Sequence, residues 1–281
     1  MKIYVRAHDV AVSQPEILAQ KVKELRFDGV QLAINKAIPN QTALPGSLTF
    51  EFLERIKTSF RSLNLHIPML GSYFNPIHSK PEMLSMYIEK FKMHLNIAKQ
   101  LGASYVGSET GSYYSDNQWL YDERNESEEA FQKVKKAFLE CANYALTTEA
   151  KVAIEGAAHH CIHSPKRLAR LLHELPEGSS YAIVDIFNYL TSDNYSQAYQ
   201  RQLMDECILF IGDKIKIFHL KDFIIENNTF KKVGLGQGLM DLPYIIRNIK
   251  DKYPNAIIVF EGVDFPHLKS SLTYIKELLG A

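Results

Sequence analysis

Short apolar runs and longer stretches with an apolar residue every third or fourth position alternate along this chain from end to end. The short runs are Ile3 to Val5, Gly29 to Ile34, Leu65 to Leu70, Ser104 to Ser108, Val152 to Glu155, Tyr181 to Asp185, Ile215 to Leu220 and Ala256 to Glu261. Rich in β-branched residues and apolar on both faces, they read as strands of a buried parallel sheet. Between them, Leu18, Val22 and Leu25, then Phe52, Ile56, Phe60 and Leu63, then Leu168, Leu171, Leu172 and Leu175, and finally Leu268, Leu272, Ile275 and Leu279 each stripe one face of a helix. Further helices are predicted up to Gly102, up to Thr148, over Ala198 to Ile211 and over Pro243 to Asp251. Ser13-Gln14-Pro15-Glu16 and Ser79-Lys80-Pro81-Glu82 carry the residue types of a capping box, and Ser164-Pro165 offers an N-cap followed by an N1 proline. Pro68 sits inside the third run, where it cannot donate to a ladder.

Eight strand–helix units predict an α/β fold, a closed (β/α)8 TIM barrel spanning residues 1–281 as one domain. An open doubly wound sheet is the alternative, but it usually shows a Gly-rich turn after an early strand, and none follows the first. The ends of four successive strands stand out. KVAIEG closes on Glu155, YAIVD on Asp185, KIKIFHLKD on His219 with Lys221 and Asp222 behind it, and AIIVFEG on Glu261. In a parallel barrel those ends open on one face, the face that carries the chemistry.

The connections add less. Residues 39–47 read as a loop, and Thr110 to Asn125 as a longer one than closure needs, with Tyr113, Tyr114, Trp119 and Tyr121 on it. VGLGQG, from Val233 to Gly238, lacks the lysine of a phosphate-gripping P-loop and reads as a flexible loop over the mouth.

Charge narrows the function classes. Lys plus Arg and Asp plus Glu are 32 each, so no global positive field exists to gather nucleic acid or anionic membrane. Cys141, Cys161 and Cys207 are scattered without a CxxC pair, which fits a reduced, intracellular chain. The start, MKIYVRAHDV, is neither a signal peptide nor an anchor, and no apolar run approaches the roughly 20 residues of a membrane span. The expectation is a soluble cytoplasmic protein.

The strand-end residues, with VAIEG, FHLKD and FEG as their strongest segments, resemble the metal site of the xylose isomerase-like superfamily of sugar isomerases and epimerases, and the resemblance spans essentially the whole chain. It implies one divalent metal ion, Mn²⁺, Mg²⁺ or Zn²⁺, on Glu155, Asp185, His219 and Glu261, with Glu155 and Glu261 exchanging protons at the substrate carbon. It also implies a small carbohydrate substrate and suggests a dimer or tetramer. The chemistry accounts for those residue types, because a proton beside a carbonyl is too weakly acidic for a carboxylate alone and a bound cation makes it removable.

The resemblance is not complete. Ketose 3-epimerases usually carry a histidine where Asn188 stands, a glutamate where Cys161 stands and an arginine where Ile225 stands, so the substrate is expected to differ while the metal site is kept. Glu109, His160, Asn188, Lys221 and Trp119 are the candidate substrate contacts. Lys221, the histidines and the aromatics also have structural alternatives: a rim salt bridge between Lys221 and Asp222, loop-to-loop hydrogen bonds for His159, His160 and His163, and packing onto the rim for the aromatics. His66 reads as a core residue satisfied by backbone. Two other functions share the barrel. One is an apurinic endonuclease IV-like metal nuclease, which lacks here its additional histidines and its DxH; the other is a non-catalytic sugar-binding barrel, against which the two glutamates argue.

Overall fold

A computed structural model describes residues 1–114 and 117–280. Eight parallel strands close into a barrel: β1 (Ile3–Arg6), β2 (Gly29–Leu32), β3 (His66–Gly71), β4 (Tyr105–Glu109), β5 (Lys151–Glu155), β6 (Ser180–Val184), β7 (Ile215–Leu220) and β10 (Ile257–Phe260). The order around the barrel is β1-β10-β7-β6-β5-β4-β3-β2. Between β7 and β10 lies an antiparallel hairpin, β8 (Phe223–Glu226) with β9 (Thr229–Lys232). Every predicted barrel strand is present.

Alternation within each strand divides the side chains between two cores. One set points inward and packs as Tyr4, Met69, Ala153, Ile183, Ile217 and Val259. The other, including Val5, Val30, Val106, Val152, Phe218 and Phe260, meets the apolar stripes of the surrounding helices. Gly107 shows how tight the inner layer is: a Cβ there would lie 1.9 Å from Met69 Cε. At Gly29 a Cβ would stand 1.8 Å from the His66 carbonyl oxygen, and φ is +148°, so the β2–β3 contact requires glycine.

The helix starts differ from the expectation. The Pro15–Glu24 and Pro81–Leu101 helices begin with proline at N1, which places Gln14 and Lys80 at the N-cap, and neither makes a side-chain cap. The serines stand one residue too early for a capping box. Ser164 does cap, accepting from Arg167 N at 3.3 Å. The predicted helix over Ala198 to Ile211 is Gln197–Glu206 continued by a π turn, Cys207–Ile211. Two short helices, Ala7–Val10 and Ile34–Ala37, follow β1 and β2 directly. They shorten the second run to Leu32.

The hairpin was not foreseen, although its turn was legible: Asn227 and Asn228 have φ of 51° and 58°, the paired left-handed residues that match strand twist in a two-residue turn. His66 is exposed rather than in the core, with Lys2 Nζ 3.0 Å from its Nε2. As the first residue of β3 it sits at the N-terminal rim, where the barrel wall ends. The long loop after β4 includes residues 115 and 116, which lie outside the described residues. Among the described residues no helix is long and apolar enough to cross a membrane.

Candidate active site

The C-terminal strand ends converge on a buried cluster of charged groups. Glu155 ends β5 and lies opposite Glu109 of β4 in the ladder. His219 is the next-to-last residue of β7, and Glu261 follows β10. Ligand atoms of Glu155, His219 and Glu261 all lie within 4.8 Å of one another. His219 Nδ1 is 3.0 Å from Glu261 Oε2 and 3.4 Å from Glu155 Oε1, contacts without the alignment of hydrogen bonds.

The other face of the His219 ring fixes its tautomer. Nε2–H donates to Gln31 Oε1 at 2.8 Å, and Gln31 Nε2 in turn donates to the Tyr73 hydroxyl at 2.6 Å. A neutral His219 therefore turns the Nδ1 lone pair toward two carboxylates, an arrangement that needs a cation between them. A proton can serve: against burial, which lowers it, Glu155 and Glu261 raise the imidazole pKa to about 10. A metal ion can serve equally, since ring N–H donation to a fixed acceptor is how metal-ligating histidines are oriented.

Asp185, the fourth strand-end residue, is engaged differently. Lys221 Nζ stands 2.6 Å from Asp185 Oδ2, 3.0 Å from Glu261 Oε1 and 3.0 Å from Asn188 Oδ1. Asp185 Oδ1 meets no donor. Burial opposes the charge on Lys221, but Asp185 and Glu261 outweigh it and raise its pKa. Asn188 is the link between the two halves of the cluster, because its Nδ2 donates to Glu155 Oε1 at 2.7 Å while its Oδ1 receives Lys221. Lys221 is thus a buried cation, not half of a rim salt bridge with Asp222.

Asp222 has a separate task. Its carboxylate accepts from the amides of Phe223 (2.8 Å), Gly236 (2.9 Å), Gly238 (2.9 Å) and Met240 (3.0 Å). The VGLGQG segment is pinned by those bonds, and two of its glycine amides are already spent on an internal anion. It is neither a free loop nor a phosphate cradle.

Four residues not singled out in the sequence, Arg6, Asp9, Gln31 and Tyr73, support Glu261 and His219. Arg6, ending β1, donates from one terminal nitrogen to Glu261 Oε1 at 2.8 Å and grips Asp9 through Nε at 3.0 Å and the other terminal nitrogen at 2.7 Å. Asp9 Oδ2 also receives the amide of Gly262 at 2.7 Å, so the residue after Glu261 is held by the same clamp. Burial would push Glu261 up, yet Lys221, His219 and Arg6 together hold it well below the usual carboxylate range. Arg6 and Gln31 interrupt otherwise apolar strands, and that interruption was the available signal for both; Tyr73 lies in a loop and gave none.

Of the remaining candidates, Glu109 is buried with Oε2 unpartnered, and burial followed by repulsion from Glu155 lifts its carboxyl to about 8. His160 is buried with Nε2 unpartnered, its ring 4.5 Å from that of Trp119, and burial lowers its pKa to about 3. His159 donates from Nδ1 to the Trp119 carbonyl oxygen at 3.3 Å, as the structural alternative foresaw. Trp119, 40% exposed, thus joins the long loop to the segment after β5.

A family profile for xylose isomerase-like TIM barrels matches residues 19–278. No curated protein matches the chain in sequence. Among similar solved structures are the IolI protein with a bound zinc atom (15% identity, TM-score 0.73, 100% of this chain and 98% of that one) and the 3-keto-D-glucoside 4-epimerase YcjR from E. coli (14% identity, TM-score 0.74, 99% of each chain). D-psicose 3-epimerase in the presence of D-fructose is a third (13% identity, TM-score 0.73, 100% of each chain). At such identities the likeness is one of fold. The profile, however, covers almost the entire barrel and both arms of the charged cluster, and this chain belongs to the xylose isomerase-like TIM barrel family.

Proposed function

We propose that the mouth is the site of a divalent metal-dependent sugar isomerase or epimerase working by proton transfer at the carbon next to a carbonyl. The observation that carries this reading is the His219 Nδ1 lone pair aimed between Glu155 and Glu261, with the opposite ring nitrogen locked on Gln31. Glu155, His219 and Glu261 would hold the ion, with Asp185 Oδ1 as the nearby unpartnered carboxylate oxygen. Mn²⁺, Mg²⁺ and Zn²⁺ all suit a set of carboxylates and one imidazole, and a zinc atom is bound in the similar IolI protein. When bound, such an ion supplies Lewis acidity toward a substrate carbonyl.

The rest of the work falls to side chains of this chain. Glu261 is kept ionised by Lys221 and Arg6, whereas Glu155 is tied to neutral Asn188 and meets Glu261 across His219. The two carboxylates can flank a substrate carbon, one removing a proton and the other returning it. Glu109, whose carboxyl burial and then Glu155 raise to about 8, can when protonated donate a hydrogen bond to a sugar hydroxyl, and His160 offers an uncharged ring nitrogen. Trp119, beside the His160 ring, would help to exclude water on this side.

The experiment is turnover in D₂O with Mn²⁺-loaded protein and a panel of ketoses and ketose phosphates. Deuterium should enter the carbon next to the carbonyl, and Glu155→Gln and Glu261→Gln should each cut its entry by on the order of 10²-fold or more. Label entering at full rate in both variants would show that the bases are wrongly assigned.

A further inference from the structure

Resting on the carbohydrate reading above, we propose that the substrate is an anion, a sugar acid or sugar phosphate whose carboxylate or phosphate oxygens are met by Lys232 of the β8–β9 hairpin, with Lys36 as a second cation at the same mouth. The charges already in place lead to this. Arg6 is spent on Asp9 and Glu261, and Lys221 on Asp185 and Glu261. The glutamate oxygens facing His219 would be neutralised by the bound cation. Lys36 and Lys232 then remain, and neither has an acidic partner among the described residues.

Both lysines are held toward the mouth. The Lys232 stem lies across the backbone just after Glu261: a Cβ on Gly262 would stand 2.6 Å from its Cδ and 3.2 Å from its Nζ. Gly262, at φ +70°, is the residue whose missing side chain makes that crossing possible. Lys232 is exposed, yet desolvation where its stem crosses Gly262 and the nearness of Lys221 weaken its charge while Glu261 favours it, which places its ammonium within reach of the cluster's field. The hairpin is braced from beneath by Phe230 on Phe223, ring centroids 4.4 Å apart, with Phe187 and Tyr195 around them. Lys232 is therefore presented by a packed element and not by a loose loop.

Lys36, after β2, places Nζ 4.4 Å from the centroid of the Tyr73 ring, whose hydroxyl belongs to the Gln31–His219 chain. Two exposed lysines at one mouth, without an acidic partner of their own, fit an anion arriving with the substrate. The unpartnered Glu109 Oε2 and Asp185 Oδ1 lie deeper and suit the uncharged hydroxyls.

The test is calorimetric binding to the Mn²⁺-loaded full chain, using D-fructose 6-phosphate against D-fructose and D-galacturonate against D-galactose. The anionic member of one pair should bind about tenfold or more tightly, as expected for charge-assisted contacts, and the preference should shrink with added salt. Whichever pair shows it identifies phosphate or carboxylate as the group. In Lys232→Gln the preference should fall close to unity, and in Lys36→Gln it should fall by a smaller factor. Equal affinities in both pairs, including no binding by either anion, would overturn the proposal, as would an undiminished preference in Lys232→Gln. Equal affinities with deuterium entering a neutral ketose would leave the isomerase reading standing alone. An anion preference without deuterium entry into any compound would support this proposal and sink that reading.

Discussion

The two halves of the barrel mouth are built on different principles. From β5 round to β10, the strand ends carry Glu155, Asp185, His219 and Glu261, groups with chemistry of their own. From β1 to β3 they carry Arg6 and Gln31, with Tyr73 just beyond, and none of these faces the space between the two glutamates directly; each instead fixes a member of the other half. One half acts and the other aims it. The two reaches differ: Arg6 meets Glu261 from the adjacent strand β1, whereas Gln31 meets His219 past both β1 and β10.

The comparison can be tested by damaging each half in turn. Loss from the acting half should be largest. With metal at a hundred times its Kd, the wild-type chain gains about 2.7 kcal/mol of stability from the ion, and a chelator should remove it. His219→Ala should bind so weakly that the chelator no longer moves the melting temperature. Elemental analysis showing equal metal in both proteins would break the assignment.

Damage to the aiming half should cost less but be felt in the same measurement. Gln31→Leu leaves every proposed ligand in place and removes the acceptor for His219 Nε2–H together with the donor to Tyr73, so metal affinity should fall 10- to 100-fold, the usual cost of losing such an outer partner. An affinity unchanged in Gln31→Leu would mean that the two halves are independent. Arg6→Lys is the mildest change, since Lys221 still pairs with Glu261. It keeps the charge and loses the fork that joins Asp9 to Glu261. Deuterium entry should slow by about tenfold with metal content intact, whereas a full loss of metal would make Arg6 part of the ion site itself.

The acting half was also the legible half. A carboxylate or imidazole that ends an apolar run is visible in the sequence because it breaks composition, and four such breaks at successive strand ends share a face by topology alone. The aiming half does not announce itself this way. Arg6 and Gln31 are one polar residue each in short strands, and their meaning depends on which strands barrel closure brings near them: β1 lies beside β10, so that Arg6 meets Glu261 over 255 residues of sequence. Asn188 was visible only as a departure from a pattern, and its double role between Glu155 and Lys221 emerges from geometry. The capping boxes failed for a local reason: proline at N1 fixes the helix start one residue beyond the serine's reach. Lys221 and Asp222 were read as a pair because they are adjacent, yet adjacent residues leave a strand toward opposite faces, and each found its partners on its own side.

The knot on Asp222 has a consequence for how this barrel can vary. One carboxylate gathers the amides of Phe223, Gly236, Gly238 and Met240, and Val233 N returns to the Asp222 carbonyl at 3.0 Å. The excursion between β7 and the helix at Leu242–Lys252 therefore leaves and re-enters the barrel at a single point, like a cassette in a socket. Whatever is changed beyond that socket, in length or in the charge borne at its end, is insulated from the strand that positions His219. A lineage, or an engineer, can exchange the hairpin while His219 and the two glutamates stay where they are.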